Sequence, residues 1–356
     1  MPPQYLRRLS SDPENPSPLL TTLLYRDHLR LALTKDARGF DRAFVKGTEN
    51  LSLEDVVIRY CVADDFVACE RTLIYAGRGG SMCPLSNSVV ACIREPTDDV
   101  NSNIDILNIH SGQCMRSTRQ TGPATCVVLV HPNIIAVDSW DFTVRLYSIS
   151  TGEELARLAG HEGRISSLTS LPGNRLASGG EDQTIRIWSI ESAQCELVLP
   201  FGDEVQHLST FSDGRILAGG AWGNKVIKVF DSRHPADPVV KHSGFNAPCR
   251  CMLPLDSDTV VRGADDHTVK IFSISQGRVV RTLFGHNRHL TTVTRMSFGR
   301  LASGAHDGVI KIWDPYAGEC IQTLNENGPV LAITNLQFLP SHKMLSSTWE
   351  AINVWR

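Results

Sequence analysis

A short pattern recurs seven times along this chain of 356 residues, at intervals of 40 to 42 residues. Each copy alternates apolar and polar residues and ends on a large apolar side chain, as in residues 184–188 and 309–313. Such alternation, rich in β-branched residues, predicts a β-strand. The seven large apolar residues are Leu107, Tyr147, Trp188, Phe230, Phe272, Trp313 and Trp355. Because an irregular sandwich would not keep so narrow a spacing, the period predicts an array of repeated units.

Each repeat is long enough for four strands. A second apolar run lies upstream of the recurring strand, for example at residues 175–179 and 300–304. A short turn rich in glycine and aspartate joins the two runs, which predicts a hairpin. Four strands with their connections fill about 41 residues, which is the size of one blade of a β-propeller.

Two of the repeats carry the same four residue types at the same spacing. The two sets are His161, Ser178, Asp182 and Trp188, and His286, Ser303, Asp307 and Trp313. In both sets the His, Ser and Asp precede the Trp by 27, 10 and 6 residues, and a Gly precedes the His. This motif resembles the signature of the WD-repeat β-propeller family. The resemblance implies an all-β fold, a propeller of seven blades.

The resemblance also implies what the four residues do. In the family they form a buried chain of hydrogen bonds from the Trp indole through Ser and His to the Asp carboxylate. A Ser, a His and an Asp could instead indicate a nucleophilic triad. However, the set occurs twice, 125 residues apart, and includes a Trp. We therefore interpret both sets as structural tetrads and expect neither catalytic residues nor enzymatic activity.

The repeats divide the chain into two parts. Residues 1–68 precede the repeats, and residues 69–356 are predicted to form the propeller. The sequence ends one residue after Trp355, so the last blade needs an outer strand from elsewhere. Residues 70–75 resemble residues 280–284, a predicted outer strand. We therefore expect residues 70–75 to complete the seventh blade and to close the ring, which removes an open sheet edge.

The N-terminal extension, residues 1–68, begins with a stretch rich in proline and serine, which predicts disorder. Leucines spaced along residues 19–31 then predict an amphipathic helix. Residues 24–44 resemble the second half of an F-box, although the leading Leu-Pro part of that motif is missing. The alternative interpretation is a helix that docks on the propeller or mediates self-association.

Ten cysteines are spread along the chain, and its N-terminus has no secretory apolar segment. This combination favours a reducing compartment, so we expect an intracellular protein, cytoplasmic or nuclear. Cys114, Cys195 and Cys320 each follow a recurring strand by seven residues, and we expect them to be buried in outer strands. Equivalent positions in different blades are too far apart to share an ion, and the sequence has no Cys-x-x-Cys motif. We therefore expect no metal and no cofactor.

Charge and hydropathy argue against two classes of partner. Lysine and arginine together number 35, aspartate and glutamate 38, and the formal net charge is −3. Nucleic-acid binding by phosphate neutralisation normally needs a basic excess. The longest apolar runs also fall short of the roughly 18 residues that cross a bilayer. We therefore expect neither a nucleic acid nor a membrane as a partner.

Function on a propeller is expected in its loops, because the blades form a rigid framework. The turns between second and third strands and the loops that lead into each blade converge on one end of the ring, which we call the turn face. The predicted partner-binding residues of this face are Trp140, Arg164, Glu181, Trp222, Asp265, Arg288, His306 and Trp349. Tryptophan and arginine are typical anchors of protein interfaces. The alternative is that the tryptophans lie flat against neighbouring turns and fill gaps.

From these observations we expect a protein-interaction scaffold or adaptor that presents the turn face to protein or peptide partners within a multiprotein complex. The alternative function is that of a substrate-recognition subunit of a ubiquitin ligase. It rests on the F-box resemblance and on the turns at residues 151–153 and 317–320, which resemble those of F-box WD-repeat proteins.

Overall fold

The computed structural model describes residues 69–74, 78–95, 101–220, 226–231, 238, 240–242, 249–325, 331–348 and 351–355. These described residues form 28 strands in seven antiparallel sheets of four strands each, with a 3-10 helix at Ser297–Gly299. The N-terminal extension, with its predicted helix, lies outside them. Within this part of the chain, no helix has the length and hydropathy that crossing a bilayer requires.

Blades 1 to 4 each consist of four consecutive strands, which run in chain order from the inner to the outer strand. Blade 1 contains β2 (Arg78–Pro84), β3 (Val89–Glu95), β4 (Asn103–Asn108) and β5 (Cys114–Arg119). Blade 2 contains β6 (Val127–His131), β7 (Ile134–Asp138), β8 (Val144–Ser148) and β9 (Glu154–Leu158). Blade 3 contains β10 (Ile165–Leu171), β11 (Arg175–Gly180), β12 (Thr184–Ser189) and β13 (Cys195–Pro200). Blade 4 contains β14 (Val205–Thr210), β15 (Ile216–Gly220), β16 (Ile227–Phe230) and β17 (Val240–His242).

Blades 5 and 6 follow the same plan, whereas blade 7 takes its outer strand from the start of the described chain. Blade 5 contains β18 (Cys249–Pro254), β19 (Thr259–Ala264), β20 (Val269–Ser273) and β21 (Arg278–Leu283). Blade 6 contains β22 (Leu290–Arg295), β23 (Leu301–Ala305), β24 (Val309–Asp314) and β25 (Glu319–Asn325). Blade 7 contains β26 (Asn335–Phe338), β27 (Met344–Ser347), β28 (Ala351–Trp355) and β1 (Cys69–Ile74).

The seven sheets form a ring. The inner strand of each blade contacts the inner strands of the two neighbouring blades, and β2 of blade 1 contacts both β6 of blade 2 and β26 of blade 7. All seven large apolar residues of the recurring pattern lie in third strands. The predicted all-β fold, a seven-bladed propeller, is therefore confirmed.

The two ends of the described chain meet in blade 7. Strand β1 pairs antiparallel with β28, and Leu73 lies opposite Ile352. Leu73 also packs against the apolar cluster that blades 7 and 1 share. The strand expected at residues 70–75 thus spans Cys69–Ile74 and lies in the outer position of the seventh blade. Backbone hydrogen bonds and apolar contacts both hold these two ends together.

The core lies between neighbouring blades. Trp188 of blade 3 belongs to one cluster with Leu146 and Leu158 of blade 2. Trp313 of blade 6 is clustered in the same way with residues of blade 5. Both tryptophans are only 1% exposed. Because each blade is covered on both faces, even the charged side chain of Arg145 in β8 is buried.

Two glycines in second strands allow neighbouring blades to approach closely. A Cβ atom on Gly179 of β11 would overlap with Val205, which begins the inner strand of blade 4. A Cβ atom on Gly304 of β23 would overlap in the same way with Ile333, which precedes the inner strand of blade 7. At both positions a side chain would not fit between the neighbouring blades.

Two outer strands are tied to the following blade by an arginine. Arg116 of β5 donates to the carbonyl oxygens of Ser150 and Thr151, at 2.6 and 2.5 Å. Arg281 of β21 donates to the carbonyl oxygen of Ala317 at 2.6 Å. Equivalent bonds thus join blade 1 to blade 2 and blade 5 to blade 6.

The turns that accept these bonds both require a glycine. Gly152 and Gly318 have φ values of +77° and +82°, in the left-handed region that L-residues with a side chain disfavour. A Cβ atom on Gly152 would also lie 3.0 Å from Cδ of Arg116, and one on Gly318 would lie 2.9 Å from Cδ of Arg281. Backbone conformation and packing therefore explain why each of these two turns contains a glycine.

The cysteines of the outer strands are less buried than the sequence predicted. Cys114 of β5 and Cys320 of β25 are exposed, and Cys195 of β13 is half-buried. Their predicted location in outer strands agrees with the structure, but the prediction that they are buried is wrong. The reason is that an outer strand pairs on one edge only and faces solvent at the rim of the ring.

Candidate partner-binding face

The tetrad of blade 3 joins a turn to the loop that leads into the blade. The indole N–H of Trp188 donates to Oγ of Ser178 at 2.7 Å, and this oxygen lies 2.7 Å from Nε2 of His161. Nδ1 of His161 lies 2.7 Å from Oδ2 of Asp182. The same carboxylate accepts the backbone N–H of Glu162 at 3.1 Å. These bonds fix the turn at Asp182 against the loop at His161, and so shape the turn face.

Blade 6 has the same arrangement. The indole N–H of Trp313 donates to Oγ of Ser303 at 2.8 Å, and this oxygen lies 2.7 Å from Nε2 of His286. Nδ1 of His286 lies 3.3 Å from Oδ2 of Asp307, which also accepts the backbone N–H of Asn287 at 2.9 Å. The structure thus brings both sequence-predicted sets together as hydrogen-bonded chains.

The ionisation of the tetrads is set by burial and by the hydrogen bonds. Burial lowers the pKa of His161, which favours the neutral imidazole. Burial by itself would raise the pKa of Asp307, but hydrogen bonds from His286 and from the Asn287 amide outweigh it and hold this pKa at about 2. The hydroxyls of Ser178 and Ser303 lie in fully buried residues and are already bonded to Trp and His, which suits a structural role.

Blades 2 and 5 hold their turn aspartates in a different way. Asp141 accepts hydrogen bonds from Oγ1 of Thr143 at 2.6 Å and from the guanidinium of Arg145 at 2.5 Å. In blade 5, Asp266 accepts equivalent bonds from Thr268 and Lys270. The partner of the aspartate is therefore a cation four residues later in the chain. Sequence reasoning missed this pairing, because the same Asp-x-Thr-x-Arg pattern occurs in blade 3, where Asp182 bonds to His161 instead.

Blade 2 also has a substitute for the tetrad histidine. The equivalent position is occupied by Gln120, whose buried side chain donates to the carbonyl oxygen of Asp138 at 2.7 Å. The carboxylate of Asp138 accepts the backbone N–H groups of Thr125 and Cys126, at 2.8 and 2.7 Å. Burial raises the pKa of this carboxyl to about 6. A second network therefore anchors the loop that leads into blade 2.

Blade 7 contains part of a tetrad that the spacing did not reveal. The indole N–H of Trp355 donates to Oγ of Ser346 at 2.9 Å, and Ser346 is fully buried. The two residues are 9 positions apart, against 10 in blades 3 and 6. One residue fewer between the two strands is enough to hide the pair from a search for fixed spacing.

On the turn face, Trp140 of blade 2 meets Arg164 of blade 3. Trp140 lies in the turn between β7 and β8 and is 46% exposed. The guanidinium carbon of Arg164 lies 3.9 Å from the centre of the Trp140 ring, which is a cation–π contact. Phe142, two residues later in the same turn, is 38% exposed. An exposed aromatic ring and a cation thus meet at the junction of blades 2 and 3, and a second exposed aromatic residue lies in the same turn.

A second cluster on the turn face lies at blades 5 and 6. Nε of Arg250 in β18 donates to Oδ1 of Asp265 at 2.7 Å. The rings of His289, which precedes β22, and His306, which follows β23, have centres 4.2 Å apart and an angle of 37° between their planes. The backbone N–H of His306 donates to the carbonyl oxygen of His289 at 3.0 Å. Sequence reasoning missed the role of Arg250, because nothing local marks its pairing with Asp265.

The remaining predicted residues of the turn face are either exposed or outside the described part of the chain. Glu181 and Arg288 are exposed. Trp222 and Trp349 lie outside the described residues. Among the predicted residues, the structure therefore brings Trp140 and Arg164 into direct contact, and it places Asp265 and His306 in the second cluster with Arg250 and His289.

The arrangement of His, Cys, Asp and Glu side chains also bears on metal binding. Within the residues that the structure describes, no group of three or more of these side chains is positioned to hold a metal ion. The histidines and aspartates of the tetrads bond to each other and to serine or backbone groups instead.

The chain carries WD repeats and folds as a seven-bladed β-propeller. The family model described as WD domain, G-beta repeat matches residues 152–189 and 277–314, which include all four tetrad residues of blades 3 and 6. The structure supplies seven blades around these two repeats. WD-repeat propellers are in general non-catalytic protein-interaction scaffolds that bind other proteins in complexes.

Curated relatives match this chain at low identity, and two of those described next are named WD repeat-containing proteins. The chain is 23% identical to an uncharacterized WD repeat-containing protein of Schizosaccharomyces pombe, in a match covering 68% of this chain and 69% of that protein. It is 25% identical to WD repeat-containing protein 82 of Drosophila melanogaster, covering 63% and 74%. It is also 23% identical to apoptotic protease-activating factor 1 of Danio rerio, where the match covers 68% of this chain but only 19% of the relative. The matched region thus makes up very different shares of the relatives' own lengths.

Proposed function

We propose that this chain is a non-catalytic scaffold or adaptor whose turn face binds a protein or peptide partner in a multiprotein complex. The observation that carries the proposal is the contact between Trp140 and Arg164. It combines a large, partly exposed aromatic ring with a cation at the junction of two blades. An intracellular location remains a prediction from the sequence.

The exposure of Trp140 favours a binding role over a purely gap-filling role. A tryptophan that only filled a gap would be largely buried, whereas this ring is 46% exposed and has Arg164 over one face. Burying a large apolar side chain contributes about 1.5–3 kcal/mol, which is free energy that a partner could gain on binding. Tryptophan and arginine are also enriched among the residues that dominate binding free energy at interfaces.

The rigidity of the surrounding loops supports the same proposal. The backbone N–H of Trp140 donates to the carbonyl oxygen of Pro123 at 3.3 Å, so the turn is tied to the loop that leads into blade 2. Arg164 follows the tetrad residue His161 by three positions, in a loop that the tetrad holds. A partner therefore binds without a large entropy cost for ordering these loops, because their backbone is already fixed.

A capture experiment with a double variant tests the proposal. We expect Trp140→Ala with Arg164→Ala to reduce capture of partners from the native source, after crosslinking, by about tenfold or more, as loss of an interface anchor does. The melting temperature should change little, because the cation–π contact contributes only about 0.5–1 kcal/mol at an exposed site. The matched control is Met115→Ala, which truncates a residue that is 58% exposed on outer strand β5, away from the turn face.

Two results would refute this proposal. One is capture of the same partners in the same amounts by the wild type and the double variant. The other is an equal loss of capture in the double variant and in Met115→Ala, because the effect would then not belong to the turn face.

The alternative function, substrate recognition for a ubiquitin ligase, stays a prediction without structural support. Its F-box resemblance falls on residues 24–44, outside the described residues. The turns that contributed to it contain Gly152 and Gly318. Their left-handed backbone and their close contacts with Arg116 and Arg281 explain why glycine occurs at these positions. The likeness of these turns therefore does not favour the ligase function.

A further inference from the structure

The second cluster of the turn face contains a pair of histidines, and the position and charge of this pair indicate a class of partner. His289 and His306 come from different loops of blade 6, and a backbone hydrogen bond of 3.0 Å holds these loops together. Their rings are 4.2 Å apart between centres, so two positive charges on this pair would repel each other strongly. Both residues are only half-buried, so a ligand can reach them.

The acidic groups around the pair are engaged with other partners. Asp265 forms an ion pair with Arg250 at 2.7 Å, Asp266 pairs with Lys270, and Asp307 accepts bonds from His286 and a backbone N–H. Because Arg250 and Lys270 are engaged in the same ion pairs, these residues add little net charge near the histidines. Partial burial lowers the pKa of His289, and the charges of His306, Arg250 and His267 lower it further, against the opposite effect of Asp265.

We propose that the His289–His306 pair, with Arg288 beside it in sequence, receives a carboxylate side chain of an acidic partner peptide, and that binding tightens when the pair is protonated. This inference rests on the proposed function of the turn face and names the chemistry of its partner. A carboxylate bound beside the two rings offsets the repulsion of their positive charges. By linkage, binding then takes up protons, and affinity rises as the pH falls.

The position of the cluster fits an extended partner. The Trp140–Arg164 contact lies at blades 2 and 3, and the histidine pair lies in blade 6, on the same face of the ring. A peptide anchored by an apolar residue at the first cluster could place acidic residues at the second. The two clusters would then contribute different interactions, one apolar and one electrostatic.

The test uses the full chain and a labelled probe peptide of alternating glutamate and serine. Its affinity is measured by fluorescence anisotropy at about pH 6 and about pH 7.5, on either side of the ordinary histidine range. The variant is His289→Gln with His306→Gln, and the matched control is His110→Gln. His110 is an exposed histidine in the turn between β4 and β5, away from the turn face. A peptide of alternating lysine and serine controls for charge.

We expect the wild type to bind the glutamate peptide about threefold to tenfold more tightly at the lower pH, since uptake of one proton gives at most tenfold per pH unit. The double variant should lose this pH dependence, and His110→Gln should keep it. Binding should weaken as salt rises from about 0.05 M to about 0.3 M, because the attraction is electrostatic. The lysine peptide should not bind more tightly at the lower pH.

Two outcomes would overturn the inference. The first is equal affinity for the glutamate peptide at both pH values in the wild type. The second is an unchanged pH dependence in the double variant, with its fold verified by circular dichroism, because the effect would then come from the general charge of the protein. If partner capture still depends on Trp140 and Arg164 in either case, the proposed function stands and only the choice of an acidic partner fails.

Discussion

Replacing Ser178 with alanine removes one oxygen atom from the middle of the blade 3 tetrad. Ser178 is fully buried, and its oxygen lies 2.7 Å from both Nε1 of Trp188 and Nε2 of His161. The alanine methyl group occupies similar space, so the change leaves almost no cavity. Its cost comes from two buried polar nitrogens that lose their partner.

The expected magnitude follows from these two nitrogens. A buried polar group left without a partner costs about 1–3 kcal/mol. Because two groups are affected, we expect Ser178→Ala to lower the free energy of unfolding by about 2–5 kcal/mol, a large part of the 5–15 kcal/mol typical of a folded domain. Ser303→Ala should have a similar effect in blade 6, where the same two bonds measure 2.8 and 2.7 Å.

Urea unfolding, followed by tryptophan fluorescence and by circular dichroism, measures these losses. The control is Ser192→Ala in an exposed turn of the same blade, which should change the free energy of unfolding by less than about 0.5 kcal/mol. The effects of Ser178→Ala and Ser303→Ala should add, because the two tetrads share no partner. A loss below about 1 kcal/mol in Ser178→Ala, or one equal to that of Ser192→Ala, would refute the reasoning.

Two further predictions concern the closure of the ring and its response to acid. Deleting residues 1–74 removes β1 and should lower the melting temperature and cause aggregation, whereas deleting residues 1–60 should not; equal melting would contradict this. The partial burial of His207 lowers its pKa, and its Nε2 lies 2.6 Å from the carbonyl oxygen of Met252. The unfolded chain therefore binds this proton more readily, and stability should fall below about pH 6.5. His207→Gln should reduce that slope in unfolding curves, and an unchanged slope would exclude His207 as a cause.

The regular part of the fold was predictable from the sequence because it repeats. A strand that packs between two blades must present apolar residues at fixed positions, and seven copies of the pattern make that requirement visible. The two complete tetrads were predictable for the same reason, since their members are held at constant spacing by one hairpin geometry. The likeness between residues 70–75 and an outer strand also indicated the strand found at Cys69–Ile74.

Sequence reasoning missed features that depend on small changes in geometry. The Trp355–Ser346 pair was hidden by a hairpin one residue shorter than in the other two blades. The ion pair between Asp141 and Arg145 replaces a tetrad bond in a blade where the histidine position holds Gln120. The predicted burial of Cys114 was wrong because position in an outer strand does not tell which side faces solvent.

The sequence by itself determined the number of blades and the two complete tetrads, because the members of each tetrad recur at a constant spacing within one repeat. The tertiary structure alone decided which loop residues meet on the turn face. Trp140 lies under Arg164 of the next blade, and Arg250 pairs with Asp265 across two strands. His289 packs against His306 because two separate loops of blade 6 converge. Such contacts depend on how loops and blades are arranged around the ring, and no periodic pattern along the chain encodes that arrangement.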